Sequence, residues 1–599
     1  MPRVRSLVAA VAAVVVTGSW GIHTAGAASQ DARELTPREQ AFHVLNRLAF
    51  GPRPGDVDRV VTMGVDRWVE QQLRPDRVPD RDTDQLLRTF TNLKRSGSEL
   101  LRDYPPRNAQ QLAARLRSDT ALTRADRIEL RRQAQRNREF VNDLLAAKVA
   151  RAVVSERQLA EVMTDFWENH FNLFIGKAQL RYYLPEYSER VIRPQALGKF
   201  RDLLGAVAKS PAMLMYLDNA QSVADSGQPT LGADGRVRGR LRQGAINRRI
   251  QRLDSAQRAA VQQLQQRRPR GLNENYAREL LELHTLGVDG GYTQQDVIEV
   301  ARALTGWGVE PLRQGGGGFV FRPQAHDAGP KTVLGHSLRA GRGIADGEEV
   351  LDILARHPST AMFISRKLAV RFVSDEPPED LVDRAAATFM RTNGDIREVV
   401  RVIVTSPEFH SRRVYRTKVK SPFEVTVSAL RALGARADTT PFTAGLIARL
   451  GQQLYGHQAP DGWPETGAAW MNTGAILNRI NLGILVASGR VPGARLRDWP
   501  AFSGLVRAPR DSQVGTVIES FLAGRASAET REILVSGNNP LMARATSDSV
   551  NLDPDPPMPD MGGMRRGRGG RGGFQRLPQL TGLPQVIGLA LGSPEFQRR

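Results

Sequence analysis

Glu279 and Glu282 stand three residues apart in the run Asn273-Glu274-Asn275-Tyr276-Ala277-Arg278-Glu279-Leu280-Leu281-Glu282-Leu283-His284. On a helix, Asn275, Arg278, Glu279 and Glu282 share one face, while Tyr276, Ala277, Leu280 and Leu283 share the other. Two carboxylates a turn apart with an amide nearby supply the oxygen ligands that a hard divalent cation takes. The same spacing fits surface ion pairs, Glu274–Arg278 and Arg278–Glu282, worth roughly a few tenths of a kcal/mol each. His170, in Phe166-Trp167-Glu168-Asn169-His170-Phe171, and His326, followed by Asp327 at an expected turn, could each serve as general base or metal ligand. Asp218-Asn219 offers a further oxygen pair or a helix-end cap, and His284 is expected to pack beside Leu280. Converging, these groups would make a metal-dependent hydrolase: Asp218, Glu279, Glu282 and His326 on the metal, with His170, His326 and Asp327 moving protons. Dispersed, the histidines are core residues satisfied by their neighbours.

No complete catalytic motif accompanies them. The chain has no His-Glu-x-x-His, Gly-x-Ser-x-Gly or phosphate-binding loop, and no Lys-Ser/Thr immediately follows Gly315–Gly318. It has no cysteine, which excludes thiol nucleophiles, thiolate metal sites and disulfides.

Helices must position whatever site exists. Thr36-Pro37-Arg38-Glu39 reads as a cap, a proline at the first helical position and a capping-box glutamate. Asp395 caps a helix whose Ile396, Val399, Val400, Ile403 and Val404 recur at helical spacing, and Pro407 stops it. Thr293 and Asp296 cap another, and Gly287 suits a helix C-terminus. A short β-hairpin is expected near 319–334, Phe319-Val320-Phe321 pairing with 331–334 across a turn at Asp327-Ala328-Gly329. The spacing thus predicts a mainly α fold, and 599 residues predict more than one packed unit.

Composition sets the boundaries. Arg3 and Arg5, the apolar run Leu7–Val16 and Ala25-Gly26-Ala27 read as an export signal over 1–27. A helical part is expected over 28–221, an Arg/Gln-rich insertion over 222–270, and a second helical part over 271–550. A disordered Gly/Arg-rich linker at 551–576 and a terminal helix at 577–599 follow. No later stretch is long and apolar enough to span a membrane, so an exported chain is expected: secreted, periplasmic or wall-associated. The net charge is +21, and fifteen of those charges lie between Gly235 and Arg270 or between Arg565 and Arg576. The basic balance therefore belongs to two appendages, which suit anionic polymers or surfaces, or are simply solvated.

Several blocks in order carry a family likeness: Asn46–Gly51, Gly64–Trp68, Phe166–Phe171, Met215–Asn219 and Asn273–Gly287. Gly291-Tyr292-Thr293, Thr305-Gly306-Trp307, His326-Asp327 with Lys331, Lys420–Glu424, Asp461-Gly462-Trp463-Pro464 and Ser593–Phe596 complete the set. The chain resembles the bacterial family DUF1800, a domain of unknown function. The resemblance implies an exported, largely helical protein with no reaction to carry over, accompanied by an exported sulfatase-like protein of unknown function. Two readings follow: an exported binding or assembly protein acting with that partner, or the metal-dependent hydrolase.

Overall fold

Helices begin where side chains can cap them. In the computed structural model, Thr36 accepts from the Glu39 amide and Glu39 returns to Thr36, opening the helix Pro37–Arg47. Thr293 and Asp296 close the same reciprocal pair on Gln294–Ala303, and Asp395 caps Ile396–Val404 through the Glu398 amide. Each such cap is worth about 1 kcal/mol. The apolar face read for Ile396–Val404 is buried at all five expected positions. Helix Glu274–Glu282 buries Tyr276, Ala277 and Leu280 as expected, with Leu281 rather than Leu283 as the fourth. It also ends earlier than Gly287 suggests, capped at Leu283, because Leu286 folds its amide back onto the Leu281 carbonyl.

The structure describes residues 35–105, 123–136, 138–177, 179–231, 271–311, 316–539 and 578–599. The export signal, the insertion beyond Leu231 and the Gly/Arg-rich linker 551–576 lie outside them. Among the described residues no helix is long and apolar enough to cross a membrane.

The mainly α architecture holds, but the β-structure differs from the single hairpin expected near 319–334. Strand β1 (Trp307–Val309) pairs antiparallel with β2 (Phe319–Phe321), Trp307 opposite Phe321. Strand β3 (Lys331–Val333) pairs with β4 (His336–Leu338), Val333 opposite His336. The turn chemistry explains the change of partner. Leu334 and Gly335 both take positive φ (49° and 80°), the two-residue turn that matches strand twist, so 331–333 closes on its own neighbour. The Asp327–Gly329 segment is freed for another task.

One connected hydrophobic core runs from Ala41 to Phe596, with a small satellite of Leu35, Phe42 and Tyr415. The length predicts separate cores. Long-range insertions join them instead: the buried Arg47 guanidinium donates to the Phe372, Val373 and Val414 carbonyls. Helix Gly582–Leu591 packs against Thr473–Ala487 so closely that the Gly588 carbonyl approaches Gly483. Ser-Pro-Glu-Phe occurs twice, at 406–409 and 593–596, and the two segments behave alike. In each, the serine hydroxyl accepts from the phenylalanine amide (3.2 Å at Ser406, 3.3 Å at Ser593) and the phenylalanine is buried.

Candidate functional site

The structure distributes the sequence candidates over four places. His170, the last residue of helix Gln158–His170, is buried among Phe166, Trp167, Phe171 and Phe363. Its Nε2 donates to the His284 carbonyl at 3.2 Å, and its Nδ1 has no partner. Burial, then the Lys367 charge, hold this imidazole neutral, well below its ordinary range. The same burial pushes His284 down to about 3, and His284 packs on Phe171 as its place beside Leu280 suggests. Glu279 and Glu282 lie on the half-buried face of helix Glu274–Glu282. Burial, then Glu282, raise the Glu279 carboxyl above the usual range. Glu282 accepts from the Tyr292 hydroxyl at 3.1 Å, and Arg278 stands 3.6 Å from Glu274. Asp218 is exposed, left-handed (φ 63°) and paired with Lys177 at 2.9 Å.

His326 and Asp327 belong to a buried charge knot beneath the hairpins. Asp346 Oδ2 takes Lys331 Nζ at 2.7 Å and His326 Nε2 at 3.2 Å, and the three side chains are fully buried. The other two Lys331 protons go to the Asp327 and Gly329 carbonyls at 2.7 and 2.9 Å. The Asp327 carboxylate receives both Arg302 Nε (2.9 Å) and Nη2 (3.2 Å), and the Gly329 amide. Burial pushes the Asp346 and Asp327 carboxyls up, but their donors prevail and hold both below the usual range. Thr305 Oγ1, His326 and Asp346 stand in the order of a nucleophile, base and acid, with Oγ1 3.3 Å from Nδ1. The hydroxyl is nonetheless committed: it donates to the Arg302 carbonyl (2.6 Å) and accepts from the Asp327 amide (2.8 Å), on a residue with no exposed surface. A nucleophile needs a free approach, so this triad is a clamp. Among the described residues no group of three or more histidines and carboxylates is arranged to hold a metal ion.

A different set of residues makes an open polar site. A cavity of about 50 Å³ lies where helices Glu139–Val154, Gln158–His170, Pro358–Phe372 and Pro422–Ala432 meet the loop 452–470 and Arg599. Lys148 Nζ bridges Asp165 (2.7 Å) and Glu168 (2.6 Å). Glu168 also receives the Ser188 hydroxyl at 2.5 Å and the Tyr455 hydroxyl at 3.0 Å. Arg371 fans its guanidinium to Glu424 (3.1 Å), Glu465 (3.2 Å) and Asp165 (3.8 Å), and Arg599 reaches Glu424 at 3.0 Å.

The loop is held by two asparagines of the 166–172 segment. Asn169 donates to the Trp463 carbonyl (2.8 Å) and accepts the Trp463 amide (2.7 Å), while Asn172 donates to the His457 and Ala459 carbonyls. Gly462 permits the approach: its φ is 78°, and a Cβ there would stand 2.2 Å from the Asn169 carbonyl oxygen. Tyr455 pays for its place with a left-handed backbone (φ 53°), strain of the sort that collects at functional loops.

The charges of Glu168, Glu424 and Lys148 are fixed. Burial opposes ionisation throughout, yet Lys148 keeps Glu168 below the carboxylate range, and Arg599 with Arg371 bring Glu424 down to about 2. Asp165 and Glu168 hold Lys148 firmly protonated. Neither Glu168 nor Glu424 is poised near neutrality as a general acid would be. Arg371 Nε, Arg599 Nε and Trp463 Nε1 are buried with no hydrogen-bond acceptor among the described residues, while Arg371 Nη2 faces Glu424 at 3.1 Å. Spare buried donors cost stability unless something accepts from them. Sequence reasoning missed these residues because it sought histidines and paired acids. The available signal was that Glu168, Asn169, Glu424 and Trp463 all fall within the blocks that carried the family likeness.

Searches of curated proteins and of solved structures returned no match to the chain. The family described as "Protein of unknown function (DUF1800)" matches residues 43–598, from His43, three residues before the first block, to the penultimate residue, and the chain belongs to that family.

Proposed function

We propose that this chain is an exported binding protein that holds a small polar ligand in the Arg371 cavity and works beside a second exported protein. The observation that carries the binding role is a cavity that meets solvent and is lined by Lys148, Arg371 and Arg599 together with the partly exposed carboxylates of Asp165 and Glu465. A concave site with a few fixed polar groups is the arrangement that orients and holds a small ligand. Fixed charges favour recognition over proton transfer. Export rests on Arg3, Arg5, the Leu7–Val16 run and Ala25-Gly26-Ala27, and fits a chain whose stability needs no thiols. The hydrolase alternative has less support, since His170 and His326 are each enclosed by different partners from those of Glu279 and Glu282.

A saturation-transfer fragment screen tests the binding role on wild type and Trp463→Ala. Fragments that bind wild type and lose their signal in the variant support it; a cavity that takes no fragment overturns it. Affinity purification of the tagged chain from its envelope fraction tests the partner. A near-stoichiometric exported companion is expected, and a chain recovered alone counts against that half of the proposal.

A further inference from the structure

Seven charged side chains line the Arg371 cavity, but an entering group does not meet them equally. The guanidiniums of Arg371 and Arg599 each keep 4% of their side-chain surface exposed, and Glu168 and Glu424 keep 4% and 6%. Asp165 and Glu465 keep 20% and 17%, and Lys148 keeps 14%. What a ligand can touch is therefore two carboxylates and one lysine. Lys148 is already satisfied: its Nζ stands between Asp165 Oδ1 (2.7 Å) and Glu168 Oε2 (2.6 Å), over the rings of Tyr455 at 5.1 Å and Phe423 at 5.6 Å.

The two carboxylates have capacity left. Asp165 Oδ2 has Arg371 Nη2 at 3.8 Å, an ion pair too long for a hydrogen bond. Glu465 Oε2 takes Arg371 Nη1 at 3.2 Å, while Oε1 has a marginal bond from Asn169 at 3.5 Å. Each carboxylate oxygen can accept two hydrogen bonds, so the accessible part of the wall is short of donors. Its charge points the same way. Four carboxylates and three cationic side chains line the cavity, one negative charge in excess on a chain of net charge +21. Arg371, which pairs with both Asp165 and Glu465, also pairs with Glu424 at 3.1 Å, so it does not reverse that balance.

About 50 Å³ admits one or two water-sized groups, which limits what enters to the head of a ligand. A metal ion is a poor occupant: among the described residues no group of three or more histidines and carboxylates could hold one. A primary ammonium suits the same wall without a coordination shell of its own, being compact, positively charged and a donor of three hydrogen bonds. We infer that the ligand of this cavity carries a primary ammonium group, which enters it and donates to the Asp165 and Glu465 carboxylates. The inference rests on the binding role proposed above and assigns that role a ligand class.

Benzylamine, benzyl alcohol and benzoate test it, since they set an ammonium, a hydroxyl and a carboxylate on the same ring. Their affinities for the full chain are measured by saturation-transfer titration at neutral pH, where benzylamine is protonated. Benzylamine should bind at least about tenfold more tightly than benzyl alcohol, and benzoate more weakly still, because charge-assisted hydrogen bonds exceed neutral ones and the wall repels an anion. Asp165→Asn and Glu465→Gln each remove one acceptor charge at nearly unchanged volume, and each should cut that preference to about threefold or less. Melting temperatures separate loss of binding from loss of fold: Lys148 keeps Glu168 when Asp165 is replaced, and Arg371 keeps Glu424 when Glu465 is. A preference lost in either folded variant supports the inference. Alcohol or benzoate binding as tightly as the amine overturns it, as does a preference unchanged in the folded variants, or no binding of any of the three. If the fragment screen still places other polar molecules in the cavity, only the ammonium assignment falls; if it places none, the binding role falls too.

Discussion

Replacing Asp346 with asparagine keeps the size of the side chain and removes the charge at the centre of the buried knot. Lys331 and His326 both rest on Asp346 Oδ2, at 2.7 and 3.2 Å. The next carboxylate oxygen available to Lys331 is Asp327 Oδ1 at 4.0 Å, already engaged by Arg302 and the Gly329 amide. Breaking a buried pair by removing one partner costs about 3–5 kcal/mol, because the other charge is left uncompensated. Lys331 keeps two carbonyl acceptors, which places Asp346→Asn near the lower end, about 3 kcal/mol. Urea unfolding followed by far-ultraviolet circular dichroism measures the loss, in a cycle with Lys331→Met. The double variant has no orphaned lysine, so it should be less destabilised than Asp346→Asn alone, with a coupling of about 2 kcal/mol. The Asp346 carboxyl is held below its ordinary range in the fold. Its contribution is therefore present above the unfolded value of about 3.9 and is lost as pH falls through the folded value, so the gap between wild type and variant should narrow in acid. A loss below about 1 kcal/mol, or strict additivity in the cycle, would refute the assignment of this cluster as a structural clamp.

Acid should unfold the chain through its histidines before its carboxylates. His43, His170 and His284 are buried and held neutral, their folded pKa values depressed chiefly by burial. Each stabilises the fold fully above its unfolded value of about 6.5 and loses that contribution as pH falls toward the folded value, at up to about 1.4 kcal/mol per pH unit. Equilibrium unfolding between pH 7 and 5 should approach a slope of about 4 kcal/mol per unit, and a slope under about 1.4 would mean that at least two rings protonate within the fold. At the cavity, Gly462→Ala forces a Cβ against the Asn169 carbonyl at positive φ. It should cost more than about 1 kcal/mol and expose the 455–470 loop to limited proteolysis. Wild-type proteolysis in that variant would show that the Asn169 clamp does not hold the loop.

Sequence position decided what could be read early. The Thr36, Thr293 and Asp395 caps are legible because a cap is a contract among residues three apart, and the buried face of Ile396–Val404 because its period is local. The hairpins were harder. Which strand Phe319–Phe321 takes as partner depends on Leu334 adopting positive φ, which its residue type does not advertise. The cavity was not legible at all from spacing: the Asn169–Trp463 clamp joins residues 294 apart, and Lys148, Arg371 and Arg599 come from three distant segments. The Glu279–Glu282 neighbourhood was legible, since one helix turn guarantees it, but a shared helix face does not supply the further ligands a metal needs.

The knot and the cavity contain the same residue types, and the difference between them lies in what remains unspent. All three Lys331 protons are taken, the Arg302–Asp327 pair is bidentate, and the Thr305 hydroxyl both gives and receives. The one orphan there is an acceptor, Asp346 Oδ1, with Arg342 Nε at 3.9 Å. Around Arg371 the ion pairs are comparably short, Arg371 Nε, Arg599 Nε and Trp463 Nε1 find no acceptor, and the carboxylates of Asp165 and Glu465 keep some exposed surface. A network closed on itself holds a fold; charged groups that keep exposed surface in a cavity can still take a partner. By that criterion the proposed binding role falls to the cavity around Arg371 and Trp463 rather than to His170 or His326, whose ring nitrogens are enclosed.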